Sequence, residues 1–91
     1  MECIETENKI SCLNEGEEIG FIKWNQNDDK TITVTTTYVN PNYRGLGIAG
    51  TLVEKIFEFA LDNGVKIIPL CSYVKKVFES SEKYNKVYVK E

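Results

Sequence analysis

A run of β-branched residues breaks off into a glycine loop and resumes with helical periodicity, and this succession between Lys30 and Gly64 constrains the chain more than any other feature. Lys30 to Val39 holds five threonines, two valines, an isoleucine and a tyrosine, a composition that suits a pleated strand. After the loop, Ile48, Leu52, Ile56 and Ala60 fall in one i to i+4 row, and Ala49, Val53, Phe57 and Leu61 in the row beside it. Paired rows of this kind form the apolar stripe of a helix lying on a sheet. Glu54, Lys55, Glu58 and Asp62 fall outside the stripe, and Gly64 stands in the C′ position that ends the helix. Val65 to Leu70 then reads as a short apolar strand covered on both faces. Strand, helix and strand in that order imply a right-handed crossover and a parallel pair.

The flanking segments read as an antiparallel sheet and a short helix. Residues 1 to 8 carry weak strand character. Lys9 to Leu13 and Glu18 to Trp24 form two strands around Asn14-Glu15-Gly16, whose polar and glycine content marks a hairpin turn. Asn25 to Asp29 is a second polar turn. Along the threonine-rich strand, Thr31, Thr33, Thr35 and Thr37 point one way while Ile32, Val34, Thr36 and Tyr38 point the other. Beyond Leu70, Ser72 is placed to cap a short helix in which Tyr73 and Val77, and Val74 and Phe78, are i to i+4 neighbours. Tyr84 to Val89 reads as a last strand or an extended tail. The expected fold class is α/β with an α+β mixed sheet: an antiparallel β-meander, a β-α-β crossover and a short C-terminal helix. At 91 residues the chain suits one domain, 1–91, with a modest core.

Composition excludes several function classes. A formal net charge of −3 with mixed signs argues against a protein that coats nucleic acid or an anionic membrane. No apolar run reaches the roughly 20 residues that span a bilayer. The acidic start, Met1-Glu2-Cys3-Ile4-Glu5, lacks the parts of a signal peptide, so the cytoplasm is the expected location. The chain has no histidine, which speaks against a zinc site or a histidine-based triad. Cys3, Cys12 and Cys71 are too few and too widely spaced for a disulfide scaffold, and no pair has metal-ligand spacing.

The chemistry therefore centres on Arg44-Gly45-Leu46-Gly47-Ile48-Ala49. Glycines there let the backbone turn sharply and let a ligand approach the amides closely. Amides left unpaired at a helix start, together with the positive end of the helix dipole, favour an anion such as a phosphate. A dinucleotide fingerprint needs a third spaced glycine and an acid at the end of the next strand, and a Walker loop needs Gly-Lys-Ser/Thr; both are missing. A tight strand-to-helix connection with no ligand is the competing explanation for the loop.

Arg44, Gly47 and Ala49 match the Arg/Gln-x-x-Gly-x-Gly/Ala motif, and the loop resembles the acyl-CoA binding motif of the GNAT superfamily of N-acyltransferases. A second segment, Pro69-Leu70-Cys71-Ser72-Tyr73-Val74, is similar to the Pro-x-Cys-x-Tyr-Val signature of small GNAT-like acetyltransferases of about this length. The resemblance implies a minimal GNAT-like fold that binds acetyl-CoA or coenzyme A and transfers an acetyl group to an unidentified amine. It implies that Arg44, Gly45, Leu46, Gly47, Ile48 and Ala49 hold the pyrophosphate while the backbone at Tyr38 and Val39 faces the pantetheine arm. Lys75 and Lys76 are candidates for the 3′-phosphate, although a surface lysine pair more commonly serves solubility.

Two residues carry the candidate chemistry. Cys71 lies at the end of the parallel strand, where a helix dipole and the nearby Lys75 and Lys76 can stabilise a thiolate; it is otherwise a small buried hydrophobe. In the small GNAT-like proteins the equivalent cysteine lies near the thioester. Tyr73 is the candidate acid for the departing CoA thiolate, with Tyr84 a weaker competitor, and packing is the alternative role of both rings. The small family often carries a His-Thr-x-Val pattern where this chain has Thr36-Thr37-Tyr38-Val39. Any proton transfer by that histidine must here fall to water, to a carboxylate or to nothing. The resemblance also implies an acceptor site without the helical wall of larger relatives, open to a protein or polyamine amine or completed by a second subunit as in a homodimer. A CoA-binding or interaction module with little or no turnover is the alternative function, and a small structural protein without a ligand is a third.

Overall fold

The computed structural model describes residues 1–90. Five strands, β1 (Glu2–Thr6), β2 (Lys9–Asn14), β3 (Glu17–Gln26), β4 (Thr31–Val39) and β5 (Lys66–Pro69), form one sheet in the order β1-β2-β3-β4-β5. The first four pair antiparallel as a meander, and β5 pairs parallel to β4. Between β4 and β5 runs helix α1 (Ile48–Asn63), and β5 is followed by helix α2 (Ser72–Glu79). The mixed α/β architecture is the expected one.

Local chemistry accounts for these elements. Glu15 and Gly16 join β2 to β3 with φ of 51° and 83°, the doubly positive pair that a two-residue hairpin of right-handed twist requires. In α1 the rows predicted from periodicity supply Ile48, Leu52, Val53, Ile56, Phe57 and Ala60 to the core. They pack against Ile10, Cys12, Ile22, Trp24, Ile32, Val34 and Ile67 of the sheet, and Val74 and Phe78 of α2 extend the same cluster. Tyr84 closes it, edge-on to Phe57 at 5.1 Å and stacked on Phe78 at 4.9 Å.

Several expectations need correction. Leu61 is 46% exposed while Ala60 beside it is 1% exposed, so the row through Leu61 leaves the buried stripe at its last residue. β5 is buried on one face only: Ile67 and Pro69 are covered, while Lys66 is exposed. The segment from Tyr84 is no strand; Glu82–Lys86 is a short 3-10 helix, and a single parallel bridge joins Tyr88 to Ile67. Cys71, not Ser72, is the N-cap of α2.

Cys3 and Cys12 form a disulfide. Nine residues apart in sequence, they become direct cross-strand partners once β1 and β2 pair in register.

The alternation along β4 also breaks. Lys23 pairs with Thr36 but Trp24 pairs with Val34, leaving Thr35 as the extra residue of a β-bulge. Bulges of this kind re-aim the side chains beyond them. Ile32 and Val34 are buried; beyond Thr35 the phase is reversed. Thr37 and Val39 take the helix side, while Tyr38 turns to the bare face and stacks on Phe21 at 5.2 Å.

Candidate functional site

The glycine loop lies where β4 ends and α1 begins. Asn40 caps a 3-10 turn, Pro41–Tyr43, by accepting from the Asn42 amide. The chain then passes through Gly45 and Gly47 at φ of 83° and 80°, left-handed values that cost a side-chain-bearing residue about 1–2 kcal/mol. Gly47 is the N-cap of α1 and, lacking a side chain, offers its amides no cap. The first helical bond is donated by the Thr51 amide to the Gly47 carbonyl. Among the described residues, no hydrogen bond occupies the amides from Gly45 to Gly50. These free donors meet the positive end of a 16-residue helix, the arrangement that attracts an anion.

A cavity of about 460 Å³ opens in front of them, lined by Thr37, Val39, Tyr43, Arg44, Gly45, Gly47, Ile48, Ala49, Gly50 and Tyr73. Its volume lies within the roughly 300–1,000 Å³ of small-molecule sites. Arg44 is exposed at the rim and has no ion-pair partner among the described residues.

The wall opposite the loop comes from a parting of the parallel strands. The last β4–β5 pair is Val34 with Pro69. The Leu70 and Cys71 amides both donate to the Val34 carbonyl, at 3.0 and 3.1 Å. Beyond that point β4 continues to Val39 without a partner on this side among the described residues. Cys71 stands in the gap, half-buried, with its thiol donating to Thr37 Oγ1 at 3.5 Å. Burial pushes the Cys71 thiol up, but the Thr37 hydroxyl, the amides of Val74 and Tyr73 and the Thr37 backbone outweigh it, leaving the thiol below its ordinary value. The sulfur makes no capping hydrogen bond, so the amides act as nearby dipoles.

The predicted residues divide accordingly. Arg44, Gly45, Gly47, Ile48, Ala49, Val39 and Tyr73 converge on the cavity, and Cys71 borders it through Thr37. Leu46 points out of the loop, 68% exposed. Tyr38 presents its ring to the bare face of the sheet. Lys75 lines a separate recess of about 180 Å³ with Leu70 and Tyr88, and Lys76 is exposed. Neither lysine lines the main cavity. Tyr84 is buried against Glu54, away from the cavity: its phenol donates to Glu54 Oε2 at 2.6 Å, and Lys83 pairs with Oε1. Thr37, Tyr43 and Gly50 line the site without having been singled out. The bulge turns Thr37 into the cavity; in the sequence it stands out only as the threonine of the Thr36-Thr37-Tyr38-Val39 segment. Tyr43 is visible only as the residue before Arg44 in the loop.

Similarity to known proteins follows the same outline. Residues 8–87 match the family model described as GCN5-related N-acetyl-transferase. A GCN5-like protein of Staphylococcus aureus, solved in solution, superposes with a TM-score of 0.80 at 28% identity, covering 99% of this chain and 89% of its own. A ribosomal-protein-alanine N-acetyltransferase of Brucella melitensis biovar Abortus aligns at TM-score 0.64 and 20% identity, over 79% of this chain and 60% of its own. A Bacillus anthracis protein solved with acetyl coenzyme A aligns at TM-score 0.62 and 21% identity, over 79% of this chain and 44% of its own. The last two likenesses concern the fold alone. With a family model spanning nearly all of its strands and helices, this chain belongs to the GCN5-related N-acetyltransferase family.

Proposed function

We propose that the chain is an acetyl-CoA-dependent N-acetyltransferase whose acyl donor binds at the glycine loop. The observation that carries this reading is the set of unpaired amides from Gly45 to Gly50 facing a cavity at a helix N-terminus. Those donors, the helix dipole and Arg44 fit a diphosphate. Val39 and Thr37 border the cavity in the direction of Cys71, the route an extended thiol arm has to take. The Bacillus anthracis protein, solved with acetyl coenzyme A, is consistent with such a donor.

In the proposed chemistry Cys71 acts as nucleophile, its thiolate favoured by Thr37 and the α2 amides. The sulfur attacks the thioester carbonyl and the bond to the CoA sulfur breaks, with an amide at the end of β4 stabilising the oxyanion. Tyr73, exposed at the cavity wall, supplies the proton to the departing CoA thiolate and recovers one from solvent. A neutral amine then attacks the acyl-cysteine, forming the amide and returning the thiol. Lys75 and Lys76, outside the cavity, are left the role of exposed partners for the 3′-phosphate.

The test is incubation with acetyl-CoA, followed by mass spectrometry and assay of free thiol. A mass gain on Cys71 with CoA release, both lost in Cys71→Ala, is the expected result. With a polyamine added as acceptor, release by Cys71→Ala that depends on the amine assigns the attack to the amine directly. Binding without release over hours favours the alternative, a CoA-binding or interaction module. The bare face of the sheet, where Phe21 and Tyr38 stack without a covering helix, speaks for that alternative, since no acceptor wall stands there.

A further inference from the structure

We infer that the Cys3–Cys12 disulfide is a redox-operated latch on β1. The strand has almost nothing else to hold it. Of its five residues only Cys3 is partly buried; Glu2, Ile4, Glu5 and Thr6 are exposed, Ile4 at 40%. Cys3 is also the one β1 side chain that packs on the core, whereas Cys12 across from it is fully buried within the core. What remains is the backbone ladder to β2, from Glu2 opposite Leu13 to Thr6 opposite Lys9. An edge strand whose only side chain on the core is Cys3 adds little apolar burial to that ladder, and strand pairing without a hydrophobic face is marginal in water. The disulfide is therefore the tie between this edge strand and the body of the fold.

The bond is also reachable. Cys3 borders a surface groove of about 220 Å³ shared with Glu5, Ile10, Lys55 and Phe59. A thiolate of a dithiol reductant attacks Cys3 Sγ from this groove, and Cys12 leaves as thiolate and takes up a proton. The second reductant thiol then resolves the mixed disulfide, so that two electrons and two protons pass to the pair while the reductant becomes a disulfide. Once β1 detaches, β2 becomes the edge of the sheet with its outer amides and carbonyls unpaired, an edge open to strand pairing. Cys71 takes no part, being bonded to Thr37 beside α2.

Hydrogen exchange followed by mass spectrometry, on the full chain before and after dithiothreitol, tests the latch. Reduction is expected to speed exchange of the β1 amides bonded to β2 by roughly 100-fold, the chain-entropy value for so short a loop, while the Leu52 to Ala60 amides keep their protection. Cys3→Ser, at the partly exposed end of the pair, should show the fast β1 exchange without reductant. Alkylation of the unfolded, unreduced chain should find Cys71 as the free thiol. The inference fails if Cys3 and Cys12 also alkylate there. It fails equally if β1 exchange ignores reduction, or if α1 loses protection together with β1, which makes the bond a staple of the whole fold.

Discussion

At the residue scale, the glycines separate two physical demands. Gly20 is pressed by its surroundings: a Cβ there would meet the Tyr38 carbonyl oxygen at 2.9 Å and Ile48 Cγ2 at 3.0 Å. Gly47 has open space around it but a left-handed backbone. Gly20→Ala should destabilise the chain by about 1–3 kcal/mol through overpacking, and Gly47→Ala by about 1–2 kcal/mol through backbone strain. Denaturant unfolding measures both. Only the second should weaken CoA binding out of proportion to stability, because it displaces the donor amides. Cys71 gives a prediction in pH. Its folded value is lowered and its thiolate is the reactive form, so alkylation should reach its plateau at lower pH than for an ordinary thiol. Thr37→Val removes the side-chain bond and should move that profile upward.

At the element scale, α1 and the C-terminal 3-10 helix are joined through Glu54, Lys83 and Tyr84. Burial first, and then the Glu54 carboxylate, raise the Tyr84 phenol to about 12 from its ordinary 10. The folded state thus favours the neutral phenol. Its contribution is complete below pH 10 and is lost as pH rises from 10 toward 12. Glu54 runs the other way: the bonds from Lys83 and Tyr84 lower it, so its contribution holds above the ordinary carboxylate value of 4.5 and fades as pH falls below it. Tyr84→Phe should cost about 1 kcal/mol at neutral pH and flatten the alkaline decline. Thermal melts at pH 8 and 11 check this. Elements whose signal is local periodicity or turn chemistry, such as α1, the Glu15-Gly16 hairpin and β5, were legible in the sequence. Those decided by pairing register were not. Thr35 looks like any threonine of its run until β3 and β4 align, and Cys3 and Cys12 look unrelated until β1 folds onto β2. Cys71 displaces Ser72 as cap because its amide is already committed to the Val34 carbonyl, which sets where the helix can begin.

At the scale of the whole molecule, one sheet face carries both helices and the other stays bare, and the parting of β4 from β5 opens the site between them. The glycine-loop side of the cavity was legible because its residues lie in one contiguous segment. The facing wall was only partly so, since Thr37 and Cys71 are 34 residues apart and meet through topology alone. The Tyr38 ring and the two lysines lie outside the cavity lining; the resemblance points only to the backbone at Tyr38, and the lysines are surface candidates for a 3′-phosphate.

The most direct measurement is a titration of the isotope-labelled protein with acetyl-CoA, followed by amide resonances. A donor seated at the loop predicts saturable shifts concentrated at Arg44 to Gly50, with a second group at Thr37 and Cys71. Amides from Gly45 to Gly50 that stay unmoved at millimolar acetyl-CoA, or shifts confined to the bare sheet face, would contradict the account.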